Sequence, residues 1–209
     1  MDIAYQLEHG IIYQGHVLDV LKGLPDESVH MCITSPPYWG LRDYKSPPQV
    51  WDDPGGCEHE LGDETIKKIT SQTKNNIGTA FEASQGQFCQ FCCAWRGSLG
   101  LEPSPDLYVK HIVQIFRELR RVLRSDGTLW LNLGDSYASG KGLCSNPGGG
   151  DDSFDGYKRR KDVGAYNLNR LNKSDLDNMG LKLKDLVGIP WRVALALQAD
   201  GWYLRSDII

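Results

Sequence analysis

The sequence predicts an α/β fold built on a mostly parallel sheet. Three features carry that expectation. Two continuous apolar runs, "VHMCIT" (residues 29–34) and "TLWLNLGD" (residues 128–135), are of the kind found in parallel strands buried on both faces. Between them, "SPDLYVKHIVQIFRELRRVLRSDG" repeats its apolar residues at helical spacing. Strands that alternate with helices imply parallel pairing through crossover connections.

Each element can be justified in order. "GIIYQG" (residues 10–15) predicts a short strand. "HVLDVLKGLPDES" predicts a short helix, with Val17, Leu18, Leu21 and Leu24 at helical spacing and Pro25 as its stop. From about Ser46 to Gly100 the periodicity dissolves into Gly, Pro, Cys and polar residues, which predicts an insertion, centred on residues 51–96, and not core. In the long helix Ser104 can cap and Pro105 suits the first helical position. Val109, Ile112, Val113, Phe116, Leu119 and Leu123 make its apolar face. Arg117, Arg120, Arg121 and Arg124 stand in the last turns, where positive charge suits the helix dipole, and Gly127 allows the exit.

Residues 138–182 are rich in Gly, Asn, Asp, Ser and Lys, hold no period and predict a long mobile loop. "IPWRVALALQADG" predicts a helix from Pro190 to near Gly201, and "WYLRSDII" a strand that runs to the C-terminus. An α/β chain seldom ends on an uncovered apolar strand. The single catalytic domain, residues 1–209, is therefore expected to be incomplete at the C-terminus, or completed by a second chain.

Composition excludes several classes. Of 209 residues, 40% are apolar and 24% charged, which is the balance of a globular domain. No run of about 18 apolar residues offers a membrane span, and "MDIAYQLEHG" is unlike a signal peptide. A cytoplasmic location is the expectation. A formal net charge of -4 argues against binding nucleic acid through a global basic field, though not through a local basic face. Six cysteines in such a chain read as thiols or metal ligands before disulfides.

The chemistry concentrates in "CITSPPYW" (residues 32–39). Ligands of open α/β sheets sit beyond the carboxyl ends of strands, and this segment stands at such an end. Ser35 and Pro36 each precede a proline and are pushed to extended backbone. Pro36 and Pro37 fix their own φ and remove two N–H donors. What remains is stiff and rich in acceptors: the Ser35 hydroxyl oxygen and nearby carbonyls, notably that of Pro36, with Tyr38 as a flat face beside them. Such a site suits an exocyclic amine on a planar ring. Acceptors that hold both N–H groups favour pyramidal nitrogen and aim its lone pair at an electrophile, which is stabilisation of the transition state.

"ITSPPY" resembles the catalytic motif of the DNA amino-methyltransferases, and its Ser form resembles the cytosine-N4 branch. "GHVLDVLKGLPDESV", "LGLEPSPDLYVKHIVQIFRELRRVLRSDGTLWLNLGDSYA" and "GIPWRVALALQADGWYLRSDII" are similar to one phage and bacterial branch of that family. The resemblance implies a Rossmann-like methyltransferase sheet, S-adenosylmethionine as methyl donor, double-stranded DNA as partner and direct transfer to a flipped base. By residue it implies that Ser35 and the Pro36 carbonyl hold the amine, Pro37 sets the geometry and Tyr38 stacks on the base. No Pro-Cys pair is present, which a carbon-5 cytosine methylase would use for its nucleophile. Two departures matter. The family's Gly-Asp before the motif is Gly15-His16 here. Its glycine-rich cofactor loop, Phe-x-Gly-x-Gly, would follow Ile209, and Gly140-Lys141-Gly142 reads as loop, so no cofactor-binding residue is assigned. The expectation is the front part of a methyltransferase, truncated or split, and inactive alone.

"CEH" (Cys57, His59) and "CQFCC" (Cys89, Cys92, Cys93) are two ligand pairs separated by a loop, the pattern of a structural zinc site that would staple a segment poor in apolar residues. Spacing leaves Cys92 and Cys93 open; the family resemblance selects Cys57, His59, Cys89 and Cys92. Cys32 reads as a buried strand thiol and Cys144 as a loop residue without a role. Trp39 either lines the base pocket or packs, and Asp135 either borders the pocket or caps a turn. "YKRRKD" (residues 157–162) reads as a solvated loop with phosphate contact as its alternative. Three rival functions remain: adenine-N6 methylation of DNA, an inactive zinc- or DNA-binding remnant, and amino-methylation of RNA or protein.

Overall fold

The computed structural model describes residues 2–40, 43–64, 66–70, 80–84, 86–140, 170–171 and 173–208. Its elements in chain order are β1 (Asp2–Leu7), β2 (Gly10–Gln14), α1 (Val17–Lys22), β3 (Val29–Thr34), β4 (Gln49–Trp51), β5 (Ile66–Thr70), β6 (Ala80–Ser84), β7 (Gln87–Phe88), β8 (Trp95–Gly97), α2 (Pro105–Val122), β9 (Leu123–Leu131), β10 (Ser139–Gly140), β11 (Arg170–Leu171), α3 (Lys173–Asn178) and α4 (Ile189–Ala199). No helix among the described residues is long and apolar enough to cross a membrane.

The two apolar runs become β3 and β9, paired in parallel with Cys32 opposite Leu129 and Thr34 opposite Leu131. Val29 pairs with Leu123 but Met31 with Thr128, so residues 124–127 bulge out of register. Gly127 makes that bulge possible: a Cβ there would lie 2.9 Å from the Arg124 carbonyl oxygen. The second strand thus begins directly at the helix end and not, as expected, only after Gly127. The other described sheets, β1–β2, β5–β6 and β4–β8–β7, are antiparallel, apart from the short parallel pair β10–β11.

Helix α2 organises the core. The Ser104 hydroxyl accepts the Leu107 N–H at 3.2 Å and Pro105 opens the first turn, as the capping pattern predicts. Tyr108, Ile112, Phe116, Leu119 and Val122 are buried along it, against Val193 and Leu197 of α4. Burial of each such side chain contributes roughly 1.5–3 kcal/mol. Val109 and Val113, expected on the buried face, are only half-buried, because His111 and Ile115 also point inward. Of the arginines of the last turns, Arg117 pairs with Asp200, Arg121 with Asp26 and Glu118, and Arg124 with Asp126, while Arg120 donates to the Asp200 backbone carbonyl. Arg121 also donates to the Leu21 and Leu24 carbonyls at 2.8 and 3.1 Å, which ties α1 to α2.

Three expectations are corrected. The insertion supplies core: Trp51 of β4 and Trp95 of β8 are 3% and 0% exposed and pack with Ile115 of α2. Indole area outweighs the polar composition of the segment around it. Residues 202–208 form no strand, since no neighbouring strand among the described residues offers hydrogen bonds to them. The ends of the segment 138–182 are ordered parts of the core and not the mobile loop expected there. Ala138 is fully buried, its N–H bonds the Asp185 carbonyl at 2.7 Å, and α3 places Leu176 in the core. Residues 141–169, which include Cys144 and the basic run, lie outside the described residues.

Asp135 is a cap. Its Oδ1 accepts the N–H groups of Ser136, Gly188 and Ile189 at 2.8, 3.1 and 3.2 Å, at the N-terminus of α4. Asp135→Ala should therefore cost about 1–2 kcal/mol. A urea midpoint unchanged from the parent would contradict that assignment.

Candidate functional site

Ser35, Pro36, Pro37 and Tyr38 leave the carboxyl end of β3, where the alternation of the strand gives way to two fixed φ angles. Ser35 is exposed, and its hydroxyl donates to the Tyr38 hydroxyl at 3.0 Å. With its proton so placed, the Ser35 oxygen keeps its lone pairs as acceptors. The Pro37 carbonyl accepts the Tyr108 hydroxyl at 2.8 Å. Burial, then the charges of Glu102 and Tyr38, push the Tyr108 phenol far up, so it stays a neutral donor. No described residue donates to the Pro36 carbonyl, which leaves it as the second acceptor beside Ser35.

Two glycines that sequence reasoning missed shape this segment. A Cβ on Gly134 would lie 2.6 Å from Tyr38 Cδ2 and 2.7 Å from Cε2, so the Tyr38 ring rests directly on this backbone. Gly100, at φ +90°, approaches from the insertion, and a Cβ there would stand 3.1 Å from both Pro37 Cβ and the Tyr38 carbonyl oxygen. The one available signal was position: Gly134 stands near the end of the second apolar run. Gly134→Ala should displace the Tyr38 ring and break its bond to Ser35. Tyr38 ring resonances unchanged in NMR spectra would contradict this.

Trp39 does not line a pocket. It is 2% exposed, and its Nε1 donates to the Glu102 carbonyl at 2.9 Å. Cys32 is half-buried against the core, and burial raises its thiol pKa. His16, at the position of the family's acid, meets the Trp51 ring edge-on at 4.9 Å.

Cys57, His59, Cys89 and Cys92 come together with all four ligand atoms within 4.8 Å of one another. Cys57 and Cys89 sulfurs are 3.8 Å apart, and Cys92 Sγ is 3.4 Å from His59 Nδ1. Tetrahedral Zn–S and Zn–N bonds require ligand separations of about 3.4–3.8 Å. The other ring nitrogen, His59 Nε2, is 3.5 Å from Asp53 Oδ1, the carboxylate support usual behind a metal-bound imidazole. The backbone N–H of Cys92, then His59, bring the Cys89 thiol down to about 6, while its neighbours Cys92 and Cys89 hold the Cys57 thiol at about 12. A metal at this cluster would take the three cysteines as thiolates. Cys93 is exposed and has φ 61°, outside the cluster.

A stiff, acceptor-rich turn with an aromatic face thus stands at the carboxyl end of a parallel strand in an α/β protein, the place where such sheets bind ligands. Sequence comparison makes this more specific. The chain belongs to the DNA methylase family N6_N4_Mtase, whose model matches residues 29–209. It is 34% identical over 204 residues to the type II methyltransferase M.Cfr9I of Citrobacter freundii, covering 98% of this chain and 47% of that protein. To M.XycI of Xanthomonas campestris pv. cyanopsidis it is 36% identical over 203 residues, covering 97% and 46%. To M.SmaI of Serratia marcescens it is 34% identical over 198 residues, covering 95% and 46%. The chain spans about half the length of the curated relatives it matches. No solved structure matches it.

Proposed function

We propose that the chain is the base-holding part of a DNA methyltransferase that methylates the exocyclic N4 amine of cytosine. The observation that carries this reading is the pair of free acceptors, Ser35 Oγ and the Pro36 carbonyl, at the β3 end beside the Tyr38 ring. A flipped base would stack on Tyr38, an interaction worth about 1–3 kcal/mol. Its amine would donate one N–H to Ser35 and the other to the Pro36 carbonyl. Both bonds strengthen as the nitrogen becomes pyramidal and gains positive charge, so they favour the transition state over the bound base. S-adenosylmethionine, when bound, supplies an electrophilic methyl group. Pro37, fixed by its ring and by Tyr108, holds the acceptors so that they need not reorganise.

The same reading includes a zinc ion held by Cys57, His59, Cys89 and Cys92 in a structural role, since four protein ligands leave no open position. It also includes a Rossmann-like sheet completed by further polypeptide, a C-terminal part or a second chain. In support, Met31, Ile33 and Trp130 leave one face of the parallel pair 51%, 72% and 51% exposed, whereas parallel sheets are ordinarily covered on both faces. The relatives are also about twice as long.

Nucleosides from DNA of cells expressing the gene together with its completing part should contain N4-methylcytosine. N6-methyladenine in its place would transfer the reading to the adenine branch of the same family. Neither nucleoside, with one zinc per chain retained, would favour a remnant without catalysis.

A further inference from the structure

Behind the Ser35–Tyr38 segment lies a buried polar chain that the proposed chemistry does not use. His111 of α2 is fully buried, and its ring is stacked between Trp51 at 4.8 Å and Trp95 at 5.2 Å. His111 Nδ1 is 2.9 Å from Glu102 Oε1, and Nε2 lies 3.4 Å from Asp52 Oδ2, though without hydrogen-bond geometry. Glu102 is 1% exposed. Its Oε2 accepts the Gly100 N–H at 2.8 Å, and its backbone carbonyl accepts the Trp39 indole at 2.9 Å. The Gly100 carbonyl in turn accepts the Gly40 N–H at 2.8 Å. Every bond therefore leads from His111 to the loop that holds Pro37 and Tyr38.

In the other direction the same ring leads to the Cys/His cluster by two short paths. Trp51, Asp52 and Asp53 are consecutive: the first stacks on His111, the second approaches its Nε2, and the third reaches the cluster's His59. Asp52 is also held by Lys110 at 2.8 Å and by Gln114, and it sits at φ 59°, a left-handed conformation that fixes the turn between the two sites. Trp95 stands three residues after the ligand Cys92 and is gripped by glycines. A Cβ on Gly86 or Gly97 would lie 2.5 or 2.1 Å from its indole.

We propose that His111, with Glu102, is a positioning residue that couples the Cys/His cluster to the Pro37–Gly40 backbone, so that a divalent metal in the cluster tightens the amine-holding turn. The physical reason is over-determination. The stacked rings leave His111 no lateral freedom, and Glu102, 1% exposed, must keep both its partners or lose the compensation for its burial. Burial already raises the Glu102 pKa against the opposing pull of His111, so its carboxylate depends strongly on this contact. A loosened cluster would free Trp51 and Trp95, then His111, then the Gly100–Gly40 bond. This inference rests on the metal reading of the cluster and not on the identity of the methylated base.

Amide hydrogen exchange on the 209-residue chain tests it, with Phe116 and Leu119 as reporters of global stability. Zinc is added or stripped with a chelator, and bound metal is counted separately. Stripping should speed exchange at Gly40 and Gly100 at least ten-fold while Phe116 and Leu119 stay within two-fold. His111→Phe keeps the stacked ring and removes its N–H links. It should loosen Gly40 to a similar degree and abolish any further effect of zinc there. Glu102→Gln, which can keep both bonds, should preserve Gly40 protection, whereas Glu102→Ala should not. If a variant fails to fold, the parent chain with and without zinc still decides. Loosened Trp95–Gly97 amides with Gly40 unchanged would overturn the coupling, as would zinc sensitivity at Gly40 that survives in His111→Phe. Failure to bind one zinc per chain would overturn the metal reading and with it the metal-driven part, and the two substitutions would then decide whether His111 positions the turn.

Discussion

Ser35→Ala, made in the methyltransferase together with its completing part, should lower the rate of methyl transfer by about 10²–10³-fold, or roughly 3–4 kcal/mol, the usual cost of losing one preorganised partner of transition-state charge. The loss should fall on kcat and leave KM for DNA nearly unchanged, because the acceptor matters most once the amine turns pyramidal. Stability should shift by less than about 0.5 kcal/mol. Ser35 is exposed, and its one described bond is to the Tyr38 hydroxyl. Single-turnover transfer of a labelled methyl group is the measurement, with a thermal melt beside it. A variant within three-fold of the parent in kcat would remove Ser35 from the amine-holding pair.

The second large effect concerns stability. Trp95→Ala should cost about 3–5 kcal/mol, the range for truncating a large buried aromatic side chain. The indole is wholly buried, stacks on His111, and fills the space that Gly86 and Gly97 leave by having no side chain. Little can collapse into that void. Trp51 is held by its own Nε1 bond to the Gly97 carbonyl at 3.2 Å, and the backbone is already fixed by the β4–β8–β7 pairing. Urea titration followed by far-UV circular dichroism would measure the change. A loss below 1 kcal/mol would show that the insertion is attached to the core and not part of it. Phe91, although also aromatic and near the cluster, is 70% exposed, and Phe91→Ala should change stability by less than about 0.5 kcal/mol.

Much of the fold was legible because its signals are local. The helical spacing between Pro105 and Val122, the cap at Ser104 and the apolar run at β3 each depend on neighbours within a few residues, and the chain forms a helix and a strand there as the pattern says, although β3 is not buried on both faces, with Met31 and Ile33 51% and 72% exposed. The first strand, Asp2–Leu7, escaped notice because Ile3, Tyr5 and Leu7 alternate on a strand whose apolar side chains stay more than half exposed, and its partner is merely the next segment. The C-terminal segment failed in the opposite way. "WYLRSDII" has the composition of a strand, but strand formation is a property of two segments, and no described partner lies beside this one.

The candidate site divides along the same line. The stiffness and the acceptor character of Ser35-Pro36-Pro37-Tyr38 follow from proline chemistry alone, whereas ligand spacing left Cys92 and Cys93 open and the family resemblance chose the four residues that the structure brings together. Nothing local marked Tyr108, Glu102 or His111. Tyr108 is 71 positions from the carbonyl it holds, and the Trp39 indole is 63 from the carbonyl that accepts it. Trp51 and the Gly97 carbonyl are 46 apart. By itself the sequence determined the long helices, the two apolar strands and the stiff, acceptor-rich character of the Ser35–Tyr38 turn, since those depend on φ restriction and side-chain periodicity. Only the tertiary structure decided which carbonyl of the proline pair stays free, that the insertion's tryptophans belong to the core, and that a buried histidine stands between the metal-type cluster and the turn. Those depend on contacts between residues far apart in the chain, where composition carries no information and packing alone selects the partner.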